Sequence, residues 1–186
     1  NSKGLDFIVN NAAFYDSIPG WGVNFEEETY EAWLAVLKVN LLTPFFLTQT
    51  MQDILKKSSC PAIVNVSSIY GLIAPDRNLY EGTEMTNPAV YAASKGGLIQ
   101  LTKWLASTCA PNVRVNCIAP SLTNSKISNF LLKNEKVAEG IAKMHPMKRI
   151  GQGEDSASVA KFLLTDQSSW ITGQILGVDG GRSSVA

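Results

Sequence analysis

The chain has 186 residues, 45% apolar and 17% charged, which is enough for one compact core and too little for two. Lys plus Arg and Asp plus Glu number 16 each, so no net field recruits nucleic acid or an anionic membrane, and small molecules or copies of the chain itself are the expected partners. Cys60, Cys109 and Cys117 lack disulfide or zinc spacing, no apolar run approaches the ~20 residues of a bilayer span, and the first residues do not resemble a signal peptide, so a soluble, cytoplasmic protein without a metal is expected.

Leu5-Asp6-Phe7-Ile8-Val9, ended by Asn10-Asn11, reads as a buried parallel strand with a tight exit. Over residues 29–57 the positions of Trp33, Leu37, Leu41, Phe45 and Phe46 give one long amphipathic helix. Ala62 to Val66 forms a second buried strand, and residues 71–88 a polar loop. Leu98, Leu101 and Leu105 mark a helix over residues 89–109, followed by a strand over residues 113–118. Residues 121–145 are polar and irregular, which suggests a lid. Glu154-Asp155 opens a helix with Val159, Phe162 and Leu163 on its apolar face, and a last strand covers residues 174–178. Strand and helix alternate, so the fold class is α/β, a doubly wound parallel sheet with right-handed crossovers.

The motif that carries chemistry is Tyr91-Ala92-Ala93-Ser94-Lys95. Residues four apart share a helix face, so the Tyr91 phenol and the Lys95 ammonium can share a site. Two charges ~4 Å apart interact by about 4 kcal/mol at an effective dielectric near 20, which brings a phenol down toward working pH. An ordinary surface helix shows the same spacing by chance. Two neighbours weigh against chance. Ser67-Ser68 closes the second strand and presents a hydroxyl at the carboxyl edge of the sheet, where open α/β folds bind ligands. Pro44, four residues after Asn40, has no N–H for the Asn40 carbonyl, so the helix should break there and leave that carbonyl for a water.

These segments, with Asn10-Asn11-Ala12-Ala13, Val39-Asn40-Leu41, Arg114-Val115-Asn116 and Val178-Asp179-Gly180-Gly181, resemble in order the motifs of the short-chain dehydrogenase/reductase family. The resemblance implies a Rossmann-like fold and an NAD- or NADP-dependent oxidoreductase acting between a secondary alcohol and a ketone. It implies Tyr91 as general acid/base, Lys95 as its electrostatic partner and ribose contact, Ser68 as donor to the substrate oxygen, and Asn40 as water holder. For the cofactor it implies Asn11 and Ala12 on the adenosine side. Pro120, the Thr123 backbone and the Ser125 hydroxyl would hold the nicotinamide, and Tyr91 and Lys95 would also touch the cofactor. It further implies a homo-oligomer, dimer or tetramer. The family's Gly-rich phosphate loop precedes its first motif here, so residues 1–186 are expected to form the C-terminal part of one domain, an N-terminally incomplete sheet.

Three departures stand out. Ala13 and Ser121 replace glycines of the family pattern, which puts the nicotinamide turn in question. Ser68 and Tyr91 are 23 positions apart, longer than the family's usual spacing. The insertion holds Asp76, Arg77, Asn78, Tyr80, Glu81, Thr83 and Glu84, either a solvated loop or a reader of a polyhydroxylated or anionic substrate, similar to members that modify flagellin and surface-glycan sugars. A nucleotide-sugar dehydratase or epimerase and a non-catalytic cofactor-binding scaffold remain the alternatives. The single histidine, His145, is expected to be structural.

Overall fold

The computed structural model describes residues 4–14, 22–76, 87–125, 128 and 132–186. Four strands, β1 (Phe7–Asn10), β2 (Ala62–Val66), β3 (Arg114–Pro120) and β4 (Ile175–Val178), pair in parallel in the order β1-β2-β3-β4. Between β1 and β2 run α1 (Tyr30–Leu37), a π-helical turn (Lys38–Leu42) and α2 (Thr43–Leu55). Between β2 and β3 lies α3 (Ala89–Cys109). Between β3 and β4 lie α4 (Glu135–Lys143) and α5 (Gly153–Leu164). This is the doubly wound sheet that strand and helix alternation predicts.

Alternate strand residues feed two cores, as the two-residue period of a strand requires. On one face Ile8, Ile63, Val113 and Val115 pack with Leu55 of α2 and Leu105, Ala106 and Cys109 of α3. On the other, Val64 and Ile118 meet Leu163 of α5. Phe162, expected on the buried stripe of α5, is 37% exposed. Its neighbour Leu163 takes the inward position, packed with Val64 of β2 and Ile118 of β3.

Buried polar groups tie the layers together. Asn10 and Asn65 are opposite one another in the β1–β2 register, and the Asn10 Nδ2 donates to Asn65 Oδ1 at 2.7 Å. Asn65 Nδ2 then donates to the Thr102 hydroxyl on α3 at 2.9 Å. At the far side the Arg114 guanidinium donates to the carbonyls of Leu163, Thr165 and Ser168, tying β3 to the end of α5 and the turn that follows it.

The long helix departs from the sequence expectation in one respect. The break that Pro44 imposes is an inserted residue, with the Thr43 N–H bonding back to the Lys38 carbonyl five positions earlier. By length and composition alone, the run Tyr30–Leu55 is the one helix among the described residues long and apolar enough to cross a membrane. Its inward side carries Ala32, Val36, Asn40, Thr48 and Leu55 and lies against the sheet and α3 as a layer of the fold.

Candidate active site

The carboxyl ends of β1, β2 and β3 converge with the first turns of α3 and the π-turn. Pro88 holds an extended backbone that starts α3 cleanly, and the Glu28 carboxylate accepts from the Ala89 N–H at 2.7 Å, capping the helix from 61 residues away. The same carboxylate accepts from the Trp33 indole at 2.8 Å. The helix so fixed carries Tyr91 and Lys95 one turn apart.

Below them, Ser67 donates its hydroxyl to the Lys95 carbonyl at 2.8 Å. Gly71 lies so close that a Cβ there would sit 2.8 Å from the Lys95 carbonyl carbon and 2.9 Å from its oxygen. Only glycine permits this approach. It clamps the short turn after β2 to α3 and so sets the Ser68 hydroxyl beside the Tyr91 phenol. The Ser68 oxygen also accepts from the Tyr70 N–H at 3.2 Å.

Lys95 is buried, and its ammonium donates to the Val66 carbonyl at 2.8 Å while standing 5.7 Å from the centre of the Tyr91 ring. Burial pulls its pKa from 10.5 down to about 8, with buried Cys117 partly opposing. The Tyr91 phenol is shifted upward, mainly by burial, against the Ser68 hydrogen bond and with the Tyr70 phenol adding to the rise. This corrects the sequence expectation of a phenol made more acidic by the amine. The ammonium is committed to the Val66 carbonyl, and desolvation of the phenolate is the largest influence on the phenol.

Asn40 sits in the π-turn with its side chain fully employed. Its Oδ1 accepts from the Phe14 N–H at 2.7 Å, and its Nδ2 donates to the Ser94 hydroxyl at 3.1 Å and the Phe14 carbonyl at 3.4 Å. Ser94 in turn donates to the Tyr91 carbonyl at 2.8 Å. Asn40 thus joins the segment after β1 to the first turns of α3. The structure brings Asn40, Ser68, Tyr91 and Lys95 together, as their motifs predict. The parts played by Ser67, Ser94, Gly71 and Glu28 were not anticipated; of these, Ser67, beside Ser68, and Ser94, beside Lys95, lay within the motifs.

The residues assigned to a cofactor are more scattered. Asn11 and Ala12 are exposed just beyond β1, and Pro120 ends β3 on the same edge. The Thr123 carbonyl accepts the Ser128 hydroxyl at 2.6 Å, and the Ser125 hydroxyl lies 3.2 Å from that of Ser128, so both groups expected at the nicotinamide are engaged within their own turn. Neither Ser121 nor Ala13 has a left-handed backbone, so neither position demands the family's glycine. The Ser121 hydroxyl instead meets His145 Nε2 at 2.8 Å. His145 is buried with both ring nitrogens bonded, as expected of a structural histidine. In the turn after β4, where Gly180 and Gly181 take positive φ, Asp179 accepts from the Gly181 and Ser183 N–H groups. Burial would raise its carboxyl; those bonds outweigh it and hold the pKa below the usual value.

The hydroxyls and ammonium at this edge fit the ribose and nicotinamide end of a dinucleotide. Among the described residues no glycine-rich strand-to-helix turn offers a pyrophosphate cradle. Of the insertion, Asp76 is described; Arg77, Asn78, Tyr80, Glu81, Thr83 and Glu84 lie outside the described residues.

This parallel sheet, with Ser, Tyr and Lys grouped at its carboxyl edge, defines a short-chain dehydrogenase/reductase, and the chain belongs to that family. A family model described as enoyl-(acyl carrier protein) reductase matches residues 1–183. The chain is 37% identical over 179 residues to the 3-oxoacyl-(acyl-carrier-protein) reductase FabG of Thermotoga maritima, covering 95% of this chain and 65% of that protein. It spans 60% of the human dehydrogenase/reductase SDR family member 4, at 32% identity over 97% of this chain. Among solved structures it resembles ligand-free aldohexose dehydrogenase of Thermoplasma acidophilum, with a TM-score of 0.83 and 29% identity over 98% of this chain and 69% of that one. Gluconate 5-dehydrogenase of Burkholderia cenocepacia, in complex with NADP and tartrate, gives 0.81 and 26% over 98% and 66%. A short-chain dehydrogenase of Leptospira borgpetersenii with bound NAD+ gives 0.80 and 32% over 96% and 65%.

Proposed function

We propose that the chain carries the catalytic part of an NAD- or NADP-dependent oxidoreductase acting between a secondary alcohol and a ketone. The observation that carries the reading is the grouping of Ser68, Tyr91 and buried Lys95, with the ammonium 5.7 Å from the Tyr91 ring, held by one clamp between α3 and the turn after β2. The nicotinamide, when bound, accepts or supplies the hydride. Ser68 donates to the substrate oxygen, and the Tyr91 hydroxyl gives that oxygen a proton in reduction or removes one in oxidation. Lys95 would hold the ribose of the cofactor, and its positive charge, 5.7 Å from the Tyr91 ring, favours the phenolate against the effect of burial. The Asn40 backbone, at the π-turn, holds the water that returns the proton to solvent.

The remaining assignments belong to the same reading. Asn11 and Ala12 line the adenosine side, while Pro120, Thr123 and Ser125 receive the nicotinamide. Residues 121–145, of which 126, 127 and 129–131 lie outside the described residues, act as the lid, and the whole chain is one part of a single Rossmann-like domain. A polar carbohydrate is the proposed substrate class, supported by the donors of the insertion and by likeness to sugar and sugar-acid dehydrogenases. Three free thiols support a cytoplasmic location. Exposed Leu42, Phe46 and Trp104 on the α2 and α3 side, and Trp170 at 98% exposure, support a homo-oligomer, dimer or tetramer.

The test is turnover of the intact protein on a panel of sugars, sugar acids, nucleotide sugars, simple ketones and acyl thioesters, read by nicotinamide absorbance. Tyr91→Phe should lower kcat by about 100-fold to 10,000-fold without loss of fold. Unchanged turnover in that variant would overturn the assignment.

A further inference from the structure

The Ser121–His145 pair lies outside the catalytic cluster and occupies a position where this chain departs from the family pattern. We propose that it is a latch coupling α4 to the nicotinamide-side turn at residues 120–123, with His145 as a positioning residue for cofactor binding; this rests on the oxidoreductase reading above.

The hydrogen-bond directions follow from the partners. The Ile141 carbonyl, 2.7 Å from His145 Nδ1, can only accept, so it takes the Nδ1 proton. In the neutral ring Nε2 is then an acceptor, and the Ser121 hydroxyl 2.8 Å away is its donor. The chain of bonds runs from the last turn of α4 through the imidazole to the residue directly after Pro120.

The ring has little freedom to move independently. It is 2% exposed, and Ile141 beside it is 1% exposed, so both anchor α4 while most of that helix faces solvent. A Cβ at Gly180 would sit 3.5 Å from the His145 Cβ and Cδ2, and one at Gly181 3.1 Å from Pro146. The Met147 N–H donates to the Gly180 carbonyl at 3.1 Å, and the Ser121 N–H donates to the Val178 carbonyl at 3.1 Å. The imidazole is thus wedged where the turns after β3 and β4 meet the end of α4. A pocket of about 200 Å³ opens beside it, lined in part by Ser121, Leu122, His145 and Asp179. A displacement of α4 is therefore transmitted to the backbone expected to hold the nicotinamide.

The experiment measures the dissociation constants of NADH and NADPH by fluorescence, kcat, and thermal melts for the intact wild-type protein and for Ser121→Ala, His145→Asn and His145→Gln. Asn keeps an amide near Nδ1 and loses the Ser121 partner; Gln places a polar atom near Nε2 and can keep it. Ser121→Ala and His145→Asn should each weaken binding of the preferred cofactor about threefold to tenfold, as the loss of one hydrogen bond predicts, with kcat changed less than about twofold. His145→Gln should recover most of the affinity. Equal cofactor affinity in Ser121→Ala and wild type, with both folded, overturns the latch; should the histidine variants not fold, the serine variant decides alone. A parallel fall in kcat and affinity in Ser121→Ala overturns it too, since that marks general damage to the site. Wild type that binds neither dinucleotide overturns the oxidoreductase reading itself, a result separate from all of these.

Discussion

Replacing Lys95 with Met should stabilise the protein at neutral pH while removing its activity. Burial lowers the Lys95 pKa from 10.5 to about 8, so below pH 8 the folded chain holds a charge that the unfolded chain keeps more easily in water. At about 1.4 kcal/mol per pH unit, the difference amounts to about 3 kcal/mol of destabilisation at pH 7. The hydrogen bond to the Val66 carbonyl returns about 1 kcal/mol, which the Met variant forgoes. A net gain of about 2 kcal/mol at pH 7 remains, or about 4–8 °C in Tm for a chain of this size. The sign reverses its trend with pH. A lysine with a depressed pKa binds fewer protons when folded, so the wild type gains stability as pH rises from about 8 toward 10.5, and the advantage of Met should shrink to about zero by pH 10. Cys117, raised by burial to about 11, works in the opposite direction above pH 9, which is why the comparison is made between variants at each pH. Thermal melts by circular dichroism at pH 7 and pH 10 test this. A Met variant no more stable than wild type at pH 7, or equally favoured at both pH values, would refute the reasoning.

Two further perturbations probe the framework of the site. Gly71→Ala places a methyl group within 3 Å of the Lys95 backbone, so turnover should fall at least tenfold and the melting temperature with it, and an unaltered enzyme would show that the clamp is not needed. Asn65→Ala strands the buried amide of Asn10 and should cost about 3 kcal/mol in urea unfolding. Adding Asn10→Ala should recover part of that loss, with a coupling of about 1–2 kcal/mol in the double-mutant cycle.

The strands, the helices and the grouping of Asn40, Ser68, Tyr91 and Lys95 were legible because each rests on a short period or a spacing within one element. Tyr91 and Lys95 share a face by helical geometry, and Ser68 follows an apolar strand whose end must lie at the carboxyl edge. What escaped depends on contacts between distant segments. Glu28 caps α3 across 61 positions, and nothing local to either residue shows it. The acidity of Tyr91 was misjudged because spacing brings the amine near but does not reveal the Val66 carbonyl that competes for it. Pro44 announced a break in the long helix, while the form of that break depends on where the Thr43 N–H finds an acceptor. Ser121 read as a blemish in a glycine turn; its use became visible only when the fold set His145 against it.

The extra residue at Lys38–Leu42 also makes the length of this segment rigidly specified. Each residue of a helix turns the chain by about 100°, so α1 and α2 are phased for the sheet only as long as that surplus is carried between them. Removing one residue there would let the axis run straight and rotate everything downstream, swinging Thr48 and Leu55 out toward water and pulling the Asn40 amide from Ser94. A loop absorbs a gain or loss of one residue; this helix, through its phase, cannot.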